Sequence, residues 1–220
     1  TVFLATDHID SDTPFWWDRA AWCFTAAPAQ QARLPLIGEV GLSGDRRAVT
    51  RKWVQHAKRL PDAAMRAAVD ALPGALGVSI PEGTFRGVTL TWDDVAAMTA
   101  RGVSFGAHTC SHPILTRVDP ATAAAEITGS ARRVAEATGV RPAGFAYPNG
   151  QRADVNTAVE SVVADTGIPL AFTLVAGPAR WGEVRRNPRR ICRVYVHHGD
   201  GLDRFVAKVA GVSRLVRVLR

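Results

Sequence analysis

From residue 87 onward the chain alternates short apolar runs with amphipathic stretches four times, and that alternation limits the folds open to it more than any other feature. The apolar runs 103–107, 144–147, 170–175 and 191–196 have the length and composition of strands. Helices are predicted over 91–100, stopping at Gly102; from Asp119-Pro120 to Gly139; from a cap at Asp154 to Asp165, ended by Gly167; and over 202–209. The opening residues 1–6 read as one more buried strand. Strands that alternate with helices pair in parallel and carry the helices outside, as a barrel or an open sheet. In either case the chemistry belongs in the loops that follow the carboxyl ends of the strands.

Between the first strand and that regular region lies a stretch rich in Ala, Arg and Leu. Thr13 as N-cap and Pro14 at the first position start a helix there, and 43–60 and 62–72 fit two more. A single strand ahead of these helices needs partners found after them, so the stretch reads as a helical insertion packed to one side of the sheet. The expected organisation is one domain over 1–211 with an insertion at about 10–88, followed by a basic tail at 212–220. Because Thr1 begins inside a strand, residues upstream are expected to belong to the same domain. For the same reason the compartment, cytoplasm or cell envelope, stays open.

Composition narrows the function classes. Hydrophobic residues at 47% and charged residues at 21% match a globular chain and exclude a disordered one. No apolar run approaches the roughly 18 residues of a membrane span. Cys23, Cys110 and Cys192 are odd in number and far apart, which suits free thiols better than a disulfide framework or a zinc knuckle. Residues 180–220 hold 11 Lys/Arg against three Asp/Glu, a net +8 that exceeds the +7 of the whole chain. Such a surface meets solvent or an anionic polymer. No nucleic-acid motif accompanies it, so no nucleic-acid partner is expected.

His108 and His112 fall in the loop straight after the strand 103–107. Two imidazoles four residues apart, stopped by Pro113, can point at one cation, and zinc and its neighbours accept imidazole readily. Ser111 and Cys110 lie between them, but no base is placed to activate either as a nucleophile.

The run Gly106-Ala107-His108-Thr109-Cys110-Ser111-His112-Pro113 resembles the second motif of the NodB-homology polysaccharide deacetylases, the family-four carbohydrate esterases. Further resemblance covers nearly the whole chain. Thr1-Val2-Phe3-Leu4-Ala5-Thr6 resembles the family's second strand, and Leu90-Thr91-Trp92-Asp93-Asp94 the helix start ahead of motif two. Phe145-Ala146-Tyr147-Pro148-Asn149-Gly150 resembles motif three, and Arg190-Ile191-Cys192-Arg193-Val194 a late strand. The resemblance implies an α/β fold, a distorted (β/α) barrel, that hydrolyses N-acetyl groups on amino sugars of a polysaccharide or glycoconjugate by metal-activated water. It implies a divalent ion held by one Asp and two His, the latter matching His108 and His112. Zinc is the expected ion, with cobalt or nickel as alternatives. It gives Asn149 the role of a backbone oxyanion donor, Tyr147 and Pro148 contacts to substrate, and Thr109 a supporting role in the loop.

Several features depart from the family pattern. The Thr-Phe-Asp-Asp-Gly motif, which supplies the base and the Asp ligand, has no match and would lie upstream of Thr1. The chain alone is therefore expected to be inactive. Thr91-Trp92-Asp93-Asp94 stands in the wrong place to substitute and reads instead as a helix cap. Ala146 replaces the usual Arg of motif three. The family's late His has no clean match, and His197 and His198 are the candidates near the right strand end. Trp16 is a candidate sugar-stacking residue, though a place over a helix seam suits it as well. His8 and His56 read as surface residues. The alternatives to an enzyme are a non-catalytic metal- or glycan-binding domain of the same fold and a basic adaptor. Oligomeric state is open.

Overall fold

The computed structural model describes residues 1–212. In chain order it contains β1 (Val2–Leu4), α1 (Trp16–Ala26), β2 (Gln31–Leu34), β3 (Gly38–Gly41), α2 (Arg46–Ala57), α3 (Asp62–Leu76), α4 (Trp92–Ala100), β4 (Phe105–Ala107), α5 (Pro120–Thr138), β5 (Gly144–Ala146), α6 (Thr157–Asp165), β6 (Leu170–Ala176), α7 (Trp181–Arg186), β7 (Ile191–Arg193) and α8 (Leu202–Val209). They divide into two compact units, one formed by residues 1–6 with those from 95 onward, the other by 7–94.

The first unit is an α/β fold around a five-stranded parallel sheet in the order β1-β4-β5-β6-β7. The strands step across the sheet in the order in which a (β/α) unit is wound, as the alternation predicts. Ala107, Phe145, Ala146, Ala171 and Val163 supply fully or almost fully buried core positions, and α5 packs on β4 and α6. Gly106 is fixed by close approach: a Cβ there would stand 2.5 Å from the Phe3 ring and 2.7 Å from the Gly144 carbonyl oxygen. Each α5 terminus follows its sequence signal. The Asp119 carboxylate accepts from the Thr122 N–H at 2.9 Å, and Gly139 ends the helix in the left-handed conformation.

Several boundaries move. β7 stops at Arg193, three residues short of the predicted strand, because the chain turns out into solvent at Tyr195. Asp154 does not cap α6; Asn156 does, its side-chain oxygen accepting from the Val159 N–H at 2.9 Å. The short helix α7 was not foreseen. The basic tail expected at 212–220 lies, except for Val212, outside the described residues.

The second unit is more than the layer of helices expected there. It encloses its own core, in which Phe24, Trp53, Leu72 and Leu76 are almost wholly buried among residues contributed only by this segment. α1 packs against α2 and α3, and the antiparallel hairpin β2–β3 closes one side. That hairpin escaped sequence reading because Gln31-Ala32-Arg33-Leu34 is too polar and short to stand out from a loop. Its turn passes through Leu36 at φ 75°, without the Asn-Gly or Asp-Gly signal of a tight hairpin. α1 begins at Trp16 with Phe15 at the cap position, so Thr13 is not the cap. Thr91 and Asp94 do form the reciprocal cap read from the sequence. The Asp94 carboxylate accepts from the Thr91 N–H at 2.9 Å, and the Asp94 N–H donates to the Thr91 hydroxyl at 3.0 Å.

Candidate active site

β4 is buried along its whole length and ends where the chain leaves the sheet at His108. The ladder continues one step further. The His108 N–H donates to the Leu4 carbonyl at 3.0 Å, and the Thr6 N–H to the Thr109 carbonyl at 3.2 Å. The loop then turns through two left-handed residues that are not glycine, Thr109 at φ 68° and His112 at φ 62°. Each such residue costs about 1–2 kcal/mol, so the surroundings must hold it. The Thr109 side chain is buried; its hydroxyl donates to the His108 carbonyl and accepts from the His112 N–H at 3.1 Å. This is the support expected of Thr109.

The turn brings the two imidazoles face to edge, with ring centroids 4.6 Å apart and Nε2 atoms 3.1 Å apart. His108 Nδ1 lies 2.6 Å from the Ala146 carbonyl oxygen. A carbonyl only accepts, so Nδ1 carries the proton and Nε2 presents its lone pair. Burial holds the His108 imidazole well below its usual value, at about 4 against 6.5; the Ala146 carbonyl opposes that depression and the charge of Arg193 adds to it. Neutral imidazole is the ligating form, and a ring nitrogen tied to a backbone carbonyl is the usual outer support of a metal-binding His. Two nitrogens about 2.0–2.1 Å from a tetrahedral zinc ion stand roughly 3.3 Å apart, so the observed separation fits one shared cation. Among the described residues no cluster of three or more His, Cys, Asp and Glu suited to a metal forms, so the pair gains no third ligand from them.

The motif-three segment follows β5. Ala146, standing where the family has Arg, contributes its backbone: its carbonyl orients His108. Asn149 adopts φ 57°, and its side-chain amide donates to the buried Asp154 carboxylate at 2.6 Å, which also accepts from the Gln151 N–H at 2.9 Å. Asp154 thus shapes the turn that carries the Asn149 backbone.

The surroundings of the other candidates differ. Tyr147 is buried to 1%, its hydroxyl donates to the Arg189 carbonyl at 3.0 Å, and burial pushes its phenol up. Its side chain is therefore structural, not a substrate contact. Pro148 is buried as well. Trp16 packs against the core of the 7–94 unit, edge-on to Trp17 at 5.5 Å. His197 and His198 are exposed beyond the end of β7, where the His197 ring accepts from the Gly199 N–H at 3.1 Å within a turn. His8, expected at the surface, is buried and stacks on Phe15 with centroids 4.0 Å apart. Cys23 is buried, and Cys110 and Cys192 are half-buried. A cavity of about 600 Å³ lies beside Thr1, Ser104, Gly144 and Leu170, at the strands' amino ends and so away from the His108 loop.

Sequence reading missed Glu126. From α5 its carboxylate accepts from the backbone N–H groups of Cys110 and Ser111, both at 2.8 Å. An acidic residue within a helix, 16 positions from the loop it holds, carries no local signal. The only available hint was its place on the turn of α5 that begins the helix's buried stripe.

No curated protein matches the chain. Among solved structures, it is similar to the Streptococcus pyogenes deacetylase PplD in complex with acetate. That match has 20% identity and a TM-score of 0.51 and covers 56% of this chain and 52% of that one. A polysaccharide deacetylase from Bacillus cereus gives 21% identity and a TM-score of 0.49 over 55% of this chain and 37% of that one. The chain thus spans about half the length of PplD, and the likeness to PplD supports the α/β fold. No described helix is long and apolar enough to cross a membrane. The sequence profile of the family described as "Polysaccharide deacetylase" matches residues 49–171, more than half of the chain and inclusive of both ligand-type histidines and motif three. This chain belongs to the polysaccharide deacetylase family.

Proposed function

We propose that the chain carries the metal-binding half of a hydrolase that removes N-acetyl groups from amino sugars of a polysaccharide or glycoconjugate. The observation behind this reading is the convergence of His108 Nε2 and His112 Nε2 at 3.1 Å, with His108 tied through Nδ1 to the Ala146 carbonyl. His108 and His112 would hold a divalent ion, with zinc the best fit to paired imidazoles and cobalt or nickel as substitutes. When bound, such an ion supplies Lewis-acid polarisation of the acetamide carbonyl and lowers the pKa of water.

The chain's own groups have distinct tasks. Burial keeps His108 neutral and the Ala146 carbonyl fixes its tautomer, so its lone pair stays available at working pH. The Asn149 backbone N–H is the donor assigned to the carbonyl oxygen as it gains charge, and Asp154 holds its turn against rearrangement. The described residues bring no carboxylate into the cluster, so the third ligand and the base that takes the water's proton are assigned outside it. Positioned proton transfer typically contributes about 10²–10⁴-fold, so residues 1–220 alone are expected to turn over poorly.

An acetate-release assay on an N-acetylglucosamine oligomer with added zinc or cobalt tests this. The comparison is between the 220-residue chain and a version extended upstream through an Asp-Asp motif. Turnover in the extended form that disappears in His108→Ala supports the proposal. Equal metal-dependent turnover by the short chain contradicts the assignment of the base, and ion binding without turnover in the extended form favours a binding domain.

A further inference from the structure

The loop between the two imidazoles is docked on one face of α5, by two residues three positions apart. The Glu126 carboxylate takes three hydrogen bonds from it: the Cys110 and Ser111 N–H groups at 2.8 Å each on Oε2, and the Ser111 hydroxyl at 2.6 Å on Oε1. Hydrogen bonds to an ionised group are roughly twice as strong as neutral ones. The second residue is Gly129, where a Cβ would stand 2.8 Å from Cys110 Sγ. Glycine within a helix is unfavourable relative to alanine, and here its bare surface is what lets the loop approach. The thiol itself lies 3.6 Å from the Glu126 carbonyl oxygen. α5 is anchored in turn on β4, the strand that delivers His108.

The docked residues, Cys110 and Ser111, are those that separate the left-handed Thr109 from the left-handed His112. Clamping them from outside holds both unfavourable torsions at once. We infer that Glu126 is a positioning residue for the divalent-ion ligands: its carboxylate, with the space left by Gly129, keeps His112 Nε2 within reach of His108 Nε2. Relaxation of the loop without this clamp would turn His112 away while leaving His108 on Ala146. The inference rests on the reading of His108 and His112 as ligands.

The test is an equilibrium titration of the metal-free 220-residue chain with Co²⁺, read from its visible absorption, alongside the thermal midpoint of each metal-free variant. Glu126→Gln, which keeps the shape and removes the charge, should weaken Co²⁺ binding about tenfold, in the range typical of outer supports of metal sites. Gly129→Ala should weaken it comparably although alanine favours the helix, and adding Cys110→Ala, which removes the crowding sulfur, should restore it. That rescue separates positioning from a general loss of stability, and it carries the test if Glu126→Gln does not fold. Wild-type chain that binds no Co²⁺, or binds it equally well as His108→Ala, overturns the metal reading and this inference with it. Wild-type binding through His108 that is unchanged in both Glu126→Gln and Gly129→Ala overturns this inference alone.

Discussion

His108 and His112 differ from His197 and His198 less in the closeness of their rings than in what holds them. The rings of His197 and His198 are the nearer pair, with centroids 4.0 Å apart against 4.6 Å. Yet His197 and His198 are exposed in a turn beyond the last strand, whereas the His108 ring is fixed by a backbone carbonyl and the His112 backbone N–H by a buried threonine hydroxyl. Proximity of ligand-type side chains is cheap on a surface and uninformative there. Orientation against a rigid sheet is what makes a pair able to receive a cation without first being ordered.

The largest effect expected from this contrast is on ion binding. His108→Ala should lower Co²⁺ affinity by at least about a hundredfold, more than loss of an outer support would. His197→Ala and His198→Ala should leave it within about twofold by the same titration. A comparable loss at His198 would erase the distinction between the pairs.

The next effect is on stability against pH in the metal-free chain. His108 has a folded pKa of about 4 against 6.5 in the unfolded state, so the unfolded chain takes up this proton first as the pH falls. Above pH 6.5 the imidazole is neutral in both states and the term vanishes. Between 6.5 and 4 the fold loses stability, by at most about 3 kcal/mol and less to the extent that the half-buried ring meets water. Urea unfolding at a series of pH values should show this slope in wild type and its reduction in His108→Ala.

Two smaller effects sharpen the boundary between support and contact. Asp154→Ala strands two donors of the motif-three turn, and urea unfolding should show a loss of about 1–3 kcal/mol. Tyr147→Phe removes only the hydrogen bond to the Arg189 carbonyl, for about 1 kcal/mol. If an upstream-extended form turns over as proposed, Tyr147→Phe should leave its KM unchanged. A raised KM would return Tyr147 to the substrate contacts from which its burial removes it.

The parts of this account legible in the sequence are those written in local patterns. The alternation after residue 87 gives the parallel sheet, and the Gly106–Pro113 run gives the histidine pair. Thr91 and Asp94 give their own cap. What stayed hidden acts through space or through the backbone. The Ala146 carbonyl that orients His108 has no side-chain signature, and an alanine in an arginine's place looks like a loss until the structure shows what its backbone does. Glu126 is an ordinary helical acid until the loop is seen resting on it. The separate core of the 7–94 unit was obscured because its hairpin strands are polar, so the helices looked like a layer in search of a sheet.

The central claim is that His108 and His112 ligate one divalent ion together. X-ray absorption at the zinc edge of the stoichiometrically loaded 220-residue chain reads this directly. Two imidazole nitrogens are expected at about 2.0–2.1 Å, with the outer-ring scattering of two histidines, falling to one in either His108→Ala or His112→Ala. A spectrum lacking histidine scattering, or one unchanged by both substitutions, would contradict it.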